Sequence, residues 1–204
     1  MKWPDYSYPP DPAKNAPGWK NISDQSEPLV KKLLAQATDL FGSPTQDPLW
    51  IRVTELKSAP HTNFHDDHGI AYKGIAFIRV NVGVSGDEQV LQRQIAHEMV
   101  HALSKSAQNT VLEEGLCTYF AVNYGGEYPP HAEDPNEQKY YEALAAVTEL
   151  LEKCPTVIKE LRKPPRSIGS ISAEEICKAC PDCSDALAKN LVSQCRSIRK
   201  SDRP

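Results

Sequence analysis

The stretch that most constrains this chain is Gln94-Ile95-Ala96-His97-Glu98-Met99-Val100-His101-Ala102-Leu103. Its apolar residues recur at helical spacing, Leu91, Ile95, Met99 and Ala102 forming one stripe, and Ser85 with Glu88 makes an S-x-x-E capping box ahead of it. On a helix, His97 and His101 are about 6 Å apart along the axis and about 40° apart around it, so their imidazoles can converge on one ion. Both lie about 200° from Met99, on the side opposite the packed stripe. A helix with one side in the core and a pair of histidines on the other implies a cleft. Glu98, next to His97, is placed to act on a water molecule as a base rather than to ligate.

The segment that follows supplies a third ligand. After a turn at residues 104–109, Thr110-Val111-Leu112-Glu113 reads as a second capping box, opening a helix through Leu116, Tyr119, Phe120 and Asn123 to Gly125-Gly126. Two antiparallel helices bring residues equidistant from their turn to similar heights, and His101 and Glu114 are about equally far from Ala107. Glu113 has a structural task available in the cap, which favours Glu114 over Glu113 as the residue completing the set with His97 and His101. Tyr119 shares a face with Leu116 and Phe120 and reads as core, and Cys117 reads as buried or disulfide-bonded.

At 204 residues and 40% hydrophobic composition, the chain can bury a full core. A net charge of −4 gives no nucleic-acid footprint, and no Lys/Arg run forms a polybasic patch. No apolar run reaches the length of a membrane span, and Met1-Lys2-Trp3-Pro4-Asp5 does not read as a signal peptide. Six cysteines, five of them after position 150, point to disulfides and an extracytoplasmic or secreted setting. Two other readings of these cysteines stay open: a four-thiolate zinc site from Cys177, Cys180, Cys183 and Cys195, and free thiols.

Residues 1–25 interleave Pro4, Pro9, Pro10, Pro12 and Pro17 with Trp3, Tyr6, Tyr8 and Trp19, which excludes helix and central strand and predicts an extended arm. A helix is expected from Ser26 to a stop at Gly42, and strands over 49–56 and 74–84. Between the strands, His61, His65, Asp66, Asp67 and His68 form either a polar loop or a second cation site. Further helices are expected from Asp134 to Cys154, from Ser172, and over 184–200.

The pair of motifs His97-Glu98-Met99-Val100-His101 and Leu112-Glu113-Glu114-Gly115-Leu116 resembles the gluzincin-type zincin metallopeptidases, in particular the compact soluble ones. The resemblance covers roughly residues 70–125. It implies an α+β, zincin-like fold: a small twisted sheet and the active-site helix in an upper subdomain (26–105), and a mainly helical, Cys-rich lower subdomain (106–204), together one catalytic domain over 26–204. It implies Zn2+ held by His97, His101 and Glu114, Glu98 as general base, and a peptide or protein substrate added as a strand to the 74–84 segment. Tyr124, Tyr128 and His131 are candidates for stabilising the oxyanion. Val111 stands where the family often has Trp, and the Cys-rich tail has no counterpart in its pattern. Two other functions compatible with the residues are a catalytically inactive zincin-fold binding protein or toxin component, and a secreted, disulfide-stabilised interaction module.

Overall fold

The computed structural model describes residues 20–21, 23–45, 49–56, 61–64, 76–83, 88–104, 109–126 and 137–195, with side chains described over 26–45, 88–104, 109–126 and 137–195. The first helix, α1 (Ser23–Phe41), starts three residues before the expected Ser26, which places Pro28 inside it. It ends at Gly42, whose N–H donates to the Thr38 carbonyl at 2.9 Å. Four extended segments pair along their backbones in the order β1-β2-β4-β3: β1 (Lys20–Asn21), β2 (Leu49–Leu56), β3 (His61–Phe64) and β4 (Ala76–Gly83). β2 and β4 run parallel, while β1 and β3 lie antiparallel on the outside.

That order overturns one expectation directly. β4, the segment assigned to receive an added peptide strand, is interior: β2 bonds one side and β3 the other. Its backbone groups are spent on neighbours, so no strand can be added to it. His61 to Phe64, read as part of a polar loop, form the outer strand beside it. His65, Asp66, Asp67 and His68 lie outside the described residues, as do Ser85 and residues 1–19 of the arm.

The fold class is corrected as well. The expected α+β, zincin-like architecture, with a small twisted sheet and the active-site helix in an upper subdomain, does not describe this body, which is predominantly helical, with seven α-helices among the described residues. The described core draws entirely on helices and the turns between them. Val30, Leu33, Ala37 and Phe41 of α1 meet Ile95, Met99 and Val100 of α2 (Glu88–Ala102). Leu112, Leu116 and Phe120 of α3 (Val111–Tyr124) and Val147 and Leu150 of α4 (Gln138–Lys153) continue the same cluster. The strands expected over 49–56 and 74–84 do form, as β2 and β4; what the local patterns do not report is the pairwise packing of helices that builds the described core.

Three smaller helices complete the body: α5 (Val157–Leu161), α6 (Ala173–Ala179) and α7 (Asp185–Leu191). Ser172 and Glu175 form a complete capping box on α6, as its sequence predicts. A disulfide joins Cys154, at the end of α4, to Cys180, at the end of α6, with Cα atoms 5.9 Å apart. That bond excludes the four-thiolate zinc site, because Cys180 is consumed, and Cys117, Cys177, Cys183 and Cys195 are free thiols. The last helix stops at Leu191 rather than running to 200. The chain there turns to pair with the start of α3: the N–H of Val111 donates to the Ser193 carbonyl, and the N–H of Cys195 to the Asn109 carbonyl, both at 2.9 Å. These bonds compete with helix continuation for the same backbone groups.

Two details fix how the helices approach. A Cβ on Gly115 would lie 2.4 Å from the Ala143 carbonyl oxygen and 2.5 Å from Val147 Cγ2, so only glycine lets α4 cross α3 this closely. Arg162 is buried with all of its donors satisfied by backbone carbonyls. Its guanidinium bonds the carbonyls of Phe41, Gly42 and Ser43 at the end of α1, Leu103 after α2, and Arg166 on its own loop, at 2.6 to 3.1 Å. One side chain thus ties off the ends of two helices. Among the described residues no helix is long and apolar enough to cross a membrane.

Candidate metal centre

α2 and α3 are antiparallel neighbours, so the C-terminal turn of α2 faces the N-terminal turn of α3. The pairing places His97 Nε2 3.4 Å from Glu114 Oε2 and His101 Nε2 3.8 Å from Glu114 Oε1. The imidazoles themselves are 5.2 Å apart between ring centroids. Both rings therefore present their Nε2 atoms to a single carboxylate, the arrangement expected from their spacing and from the equal distances of His101 and Glu114 from the turn.

Only half of the expected capping box at the start of α3 forms. Thr110 does cap α3, its hydroxyl accepting from the Glu113 N–H at 3.2 Å. The reciprocal half of the box is replaced: the Glu113 carboxylate turns to His101, Oε1 lying 3.2 Å from Nδ1. Because a carboxylate only accepts, His101 donates from Nδ1, which fixes the tautomer that leaves its Nε2 lone pair facing Glu114. Glu113 thus orients a candidate ligand. Asn109 does the same for Glu114, donating from Nδ2 to Oε1 at 2.7 Å.

Glu114 is buried, and its Oε2 has no hydrogen-bond partner. The 3.4 Å approach of His97 is an ion-pair distance without hydrogen-bond alignment. A buried carboxylate oxygen left in this way is costly unless a cation completes it. Two imidazoles and a carboxylate also match the borderline-soft donor set of Zn2+. Cys117, one turn along α3, adds a thiol: ligand atoms of His97, His101 and Cys117 all lie within 4.8 Å of one another. The residues present fit a metal ion, and two side chains of α3 stand beside the histidine pair.

Electrostatics agree with a site built for positive charge. Burial works to raise the Glu114 pKa, but the His97 ring and the charges of His101, His97 and Lys139 outweigh it and bring it down to about 2. Burial works to lower the His101 pKa, and Cys117, Glu113 and Glu98 reverse the effect and hold it well above its usual value. The Cys117 thiol is pushed up to about 12, burial being the dominant cause against the opposing pull of His101. Glu98 is itself buried beside the histidines, at 2% exposure.

Sequence reasoning missed two neighbours. Tyr140 of α4 packs edge-on against the His97 ring, with centroids 5.9 Å apart, and Lys139 Nζ lies 4.5 Å above the Tyr140 ring. Tyr140 belongs to the apolar stripe of α4, which disguised it as core. Of the three oxyanion candidates, Tyr124 stacks on Phe120 at 4.7 Å instead, and Tyr128 and His131 lie outside the described residues. No protein-family model, curated protein or solved structure matches this chain.

Proposed function

We propose that this chain is a zinc-dependent metallopeptidase in which His97, His101 and Glu114 hold the metal and Glu98 is the general base. The observation that supports the reading is the meeting of two imidazole Nε2 atoms at one buried carboxylate with an unsatisfied oxygen. Bound zinc supplies Lewis-acid activation of a peptide carbonyl and of a water molecule. Glu98 would serve as the base that takes a proton from the attacking water and returns it to the leaving amine nitrogen. Glu113 keeps His101 in the ligating tautomer, Asn109 holds Glu114 Oε1, and Tyr140 fixes the plane of the His97 ring. The gluzincin resemblance of the two motifs supports the same assignment.

A second reading, a metal-stabilised protein without hydrolytic activity, is favoured by one observation: the Cys117 thiol lies within the histidine cluster and offers a fourth protein ligand. Cleavage of unfolded protein substrates by the zinc-loaded chain, compared with Glu98→Gln, separates the two. The peptidase reading expects cleavage in wild type and its loss in Glu98→Gln with zinc retained. Equal cleavage by both chains removes Glu98 from the mechanism.

A further inference from the structure

We infer that Cys117 is a direct ligand of the same metal ion, so that the resting site is a closed shell of His97, His101, Glu114 and Cys117. The inference rests on the metal-site reading above and adds to it a ligand that the H-E-x-x-H and Glu-Gly motifs do not contain.

Three observations carry it. Cys117 follows Glu114 by three residues on α3, so the two side chains project from the same face of the helix. The ligand atoms of His97, His101 and Cys117 are already within 4.8 Å of one another, against the roughly 3 to 4 Å that zinc bond lengths of about 2.0–2.3 Å impose in a tetrahedron. These three ligands thus need only a modest contraction to meet one ion, and Glu114 already reaches the same two rings at 3.4 and 3.8 Å. Independently, Glu114 Oε2 is buried without a hydrogen-bond partner and is directed at His97. The thiol is neither disulfide-bonded nor solvent-exposed, so no competing chemistry occupies it.

On binding, the S–H bond breaks, the sulfur electron pair forms the metal bond, and the proton passes to solvent. Four protein donors complete the tetrahedron and leave no position for water, as in structural zinc sites. Hydrolysis then requires Cys117 to leave the metal first. Cys117 is accordingly the group that decides whether the site is open.

X-ray absorption at the zinc edge, on wild-type chain loaded with one equivalent of zinc, reads the shell without any substitution. The expected result is one sulfur at about 2.3 Å among lighter ligands at about 2.0–2.1 Å. Cobalt-loaded chains assign that sulfur. The thiolate-to-cobalt charge-transfer band is expected in wild type and in Cys195→Ser, which alters the other thiol near Glu114, and is expected to vanish in Cys117→Ala. The same variant should bind zinc more than about 100-fold more weakly, beyond the roughly 10–100-fold that removing a group which merely orients a ligand produces. One zinc per chain with no sulfur in the shell, or a charge-transfer band that survives in Cys117→Ala, overturns the inference while leaving the histidine and Glu114 site standing. A wild-type chain that binds no metal overturns both.

Discussion

Gly115→Ala tests the packing on which the site depends. In an ordinary helix interior this substitution stabilises by about 0.5–1 kcal/mol, because alanine loses less conformational entropy than glycine. Here the added methyl would stand 2.4 Å from the Ala143 carbonyl oxygen and 2.5 Å from Val147 Cγ2, where ordinary contact begins at 3.4 Å. The nearest atom is helix backbone, so no side-chain rotation relieves the clash, and α4 must retreat by about 1 Å. Overpacking of this kind costs about 1–3 kcal/mol, which exceeds the entropic gain, and a net loss of about 1–2 kcal/mol is expected. The retreat also carries Tyr140 away from His97 and Val147 out of the core. Urea unfolding should show a lower midpoint at unchanged slope, with weakened zinc affinity in a parallel titration. A variant as stable as wild type, or more stable, would refute the close approach of α3 and α4.

Arg162→Met removes a buried guanidinium that satisfies five carbonyls, taking its donors from the end of α1 and leaving the Leu103 carbonyl after α2 with the Thr45 N–H alone, and should cost about 3–5 kcal/mol in urea unfolding; a loss below about 1 kcal/mol would contradict its role. Replacing both Cys154 and Cys180 with alanine opens a link across a sequence separation of 26 residues and should destabilise the oxidised protein by about 3 kcal/mol, with no comparable effect under reducing conditions. Glu114 has its pKa lowered from 4.5 to about 2, so in the metal-free chain its stabilising contribution is complete above pH 4.5 and is lost as pH falls through about 2. Glu114→Gln should therefore flatten the acid limb of the stability curve, and an unchanged limb would refute the pairing.

The proximity of His97, His101 and Glu114 was legible because it follows from local helix geometry. The spacing of His97 and His101 and the equal distances of His101 and Glu114 from one turn are properties of helices, which sequence reports well. Glu113 shows the limit: an S/T-x-x-E pattern predicts a reciprocal cap, but His101 across the turn offered a better partner, and tertiary contact decided. Tyr140 and Cys117 were hidden for another reason, since an aromatic or a thiol on an apolar stripe carries the same signal whether it lines a core or a metal centre. The three-residue step from Glu114 to Cys117 was the available clue. Strand order left no local trace either, so the interior position of β4 could not be read, nor could the buried role of Arg162, whose partners come from distant turns.

The central claim is that one metal ion sits between α2 and α3 with Glu114 as a ligand and Glu113 behind His101. Zinc titration of wild type, Glu114→Ala and Glu113→Ala in competition with a chelator tests it most directly. Binding of one zinc per wild-type chain is predicted, with a much larger loss of affinity in Glu114→Ala than in Glu113→Ala. Absence of zinc binding in wild type, or a greater loss in Glu113→Ala, would contradict it.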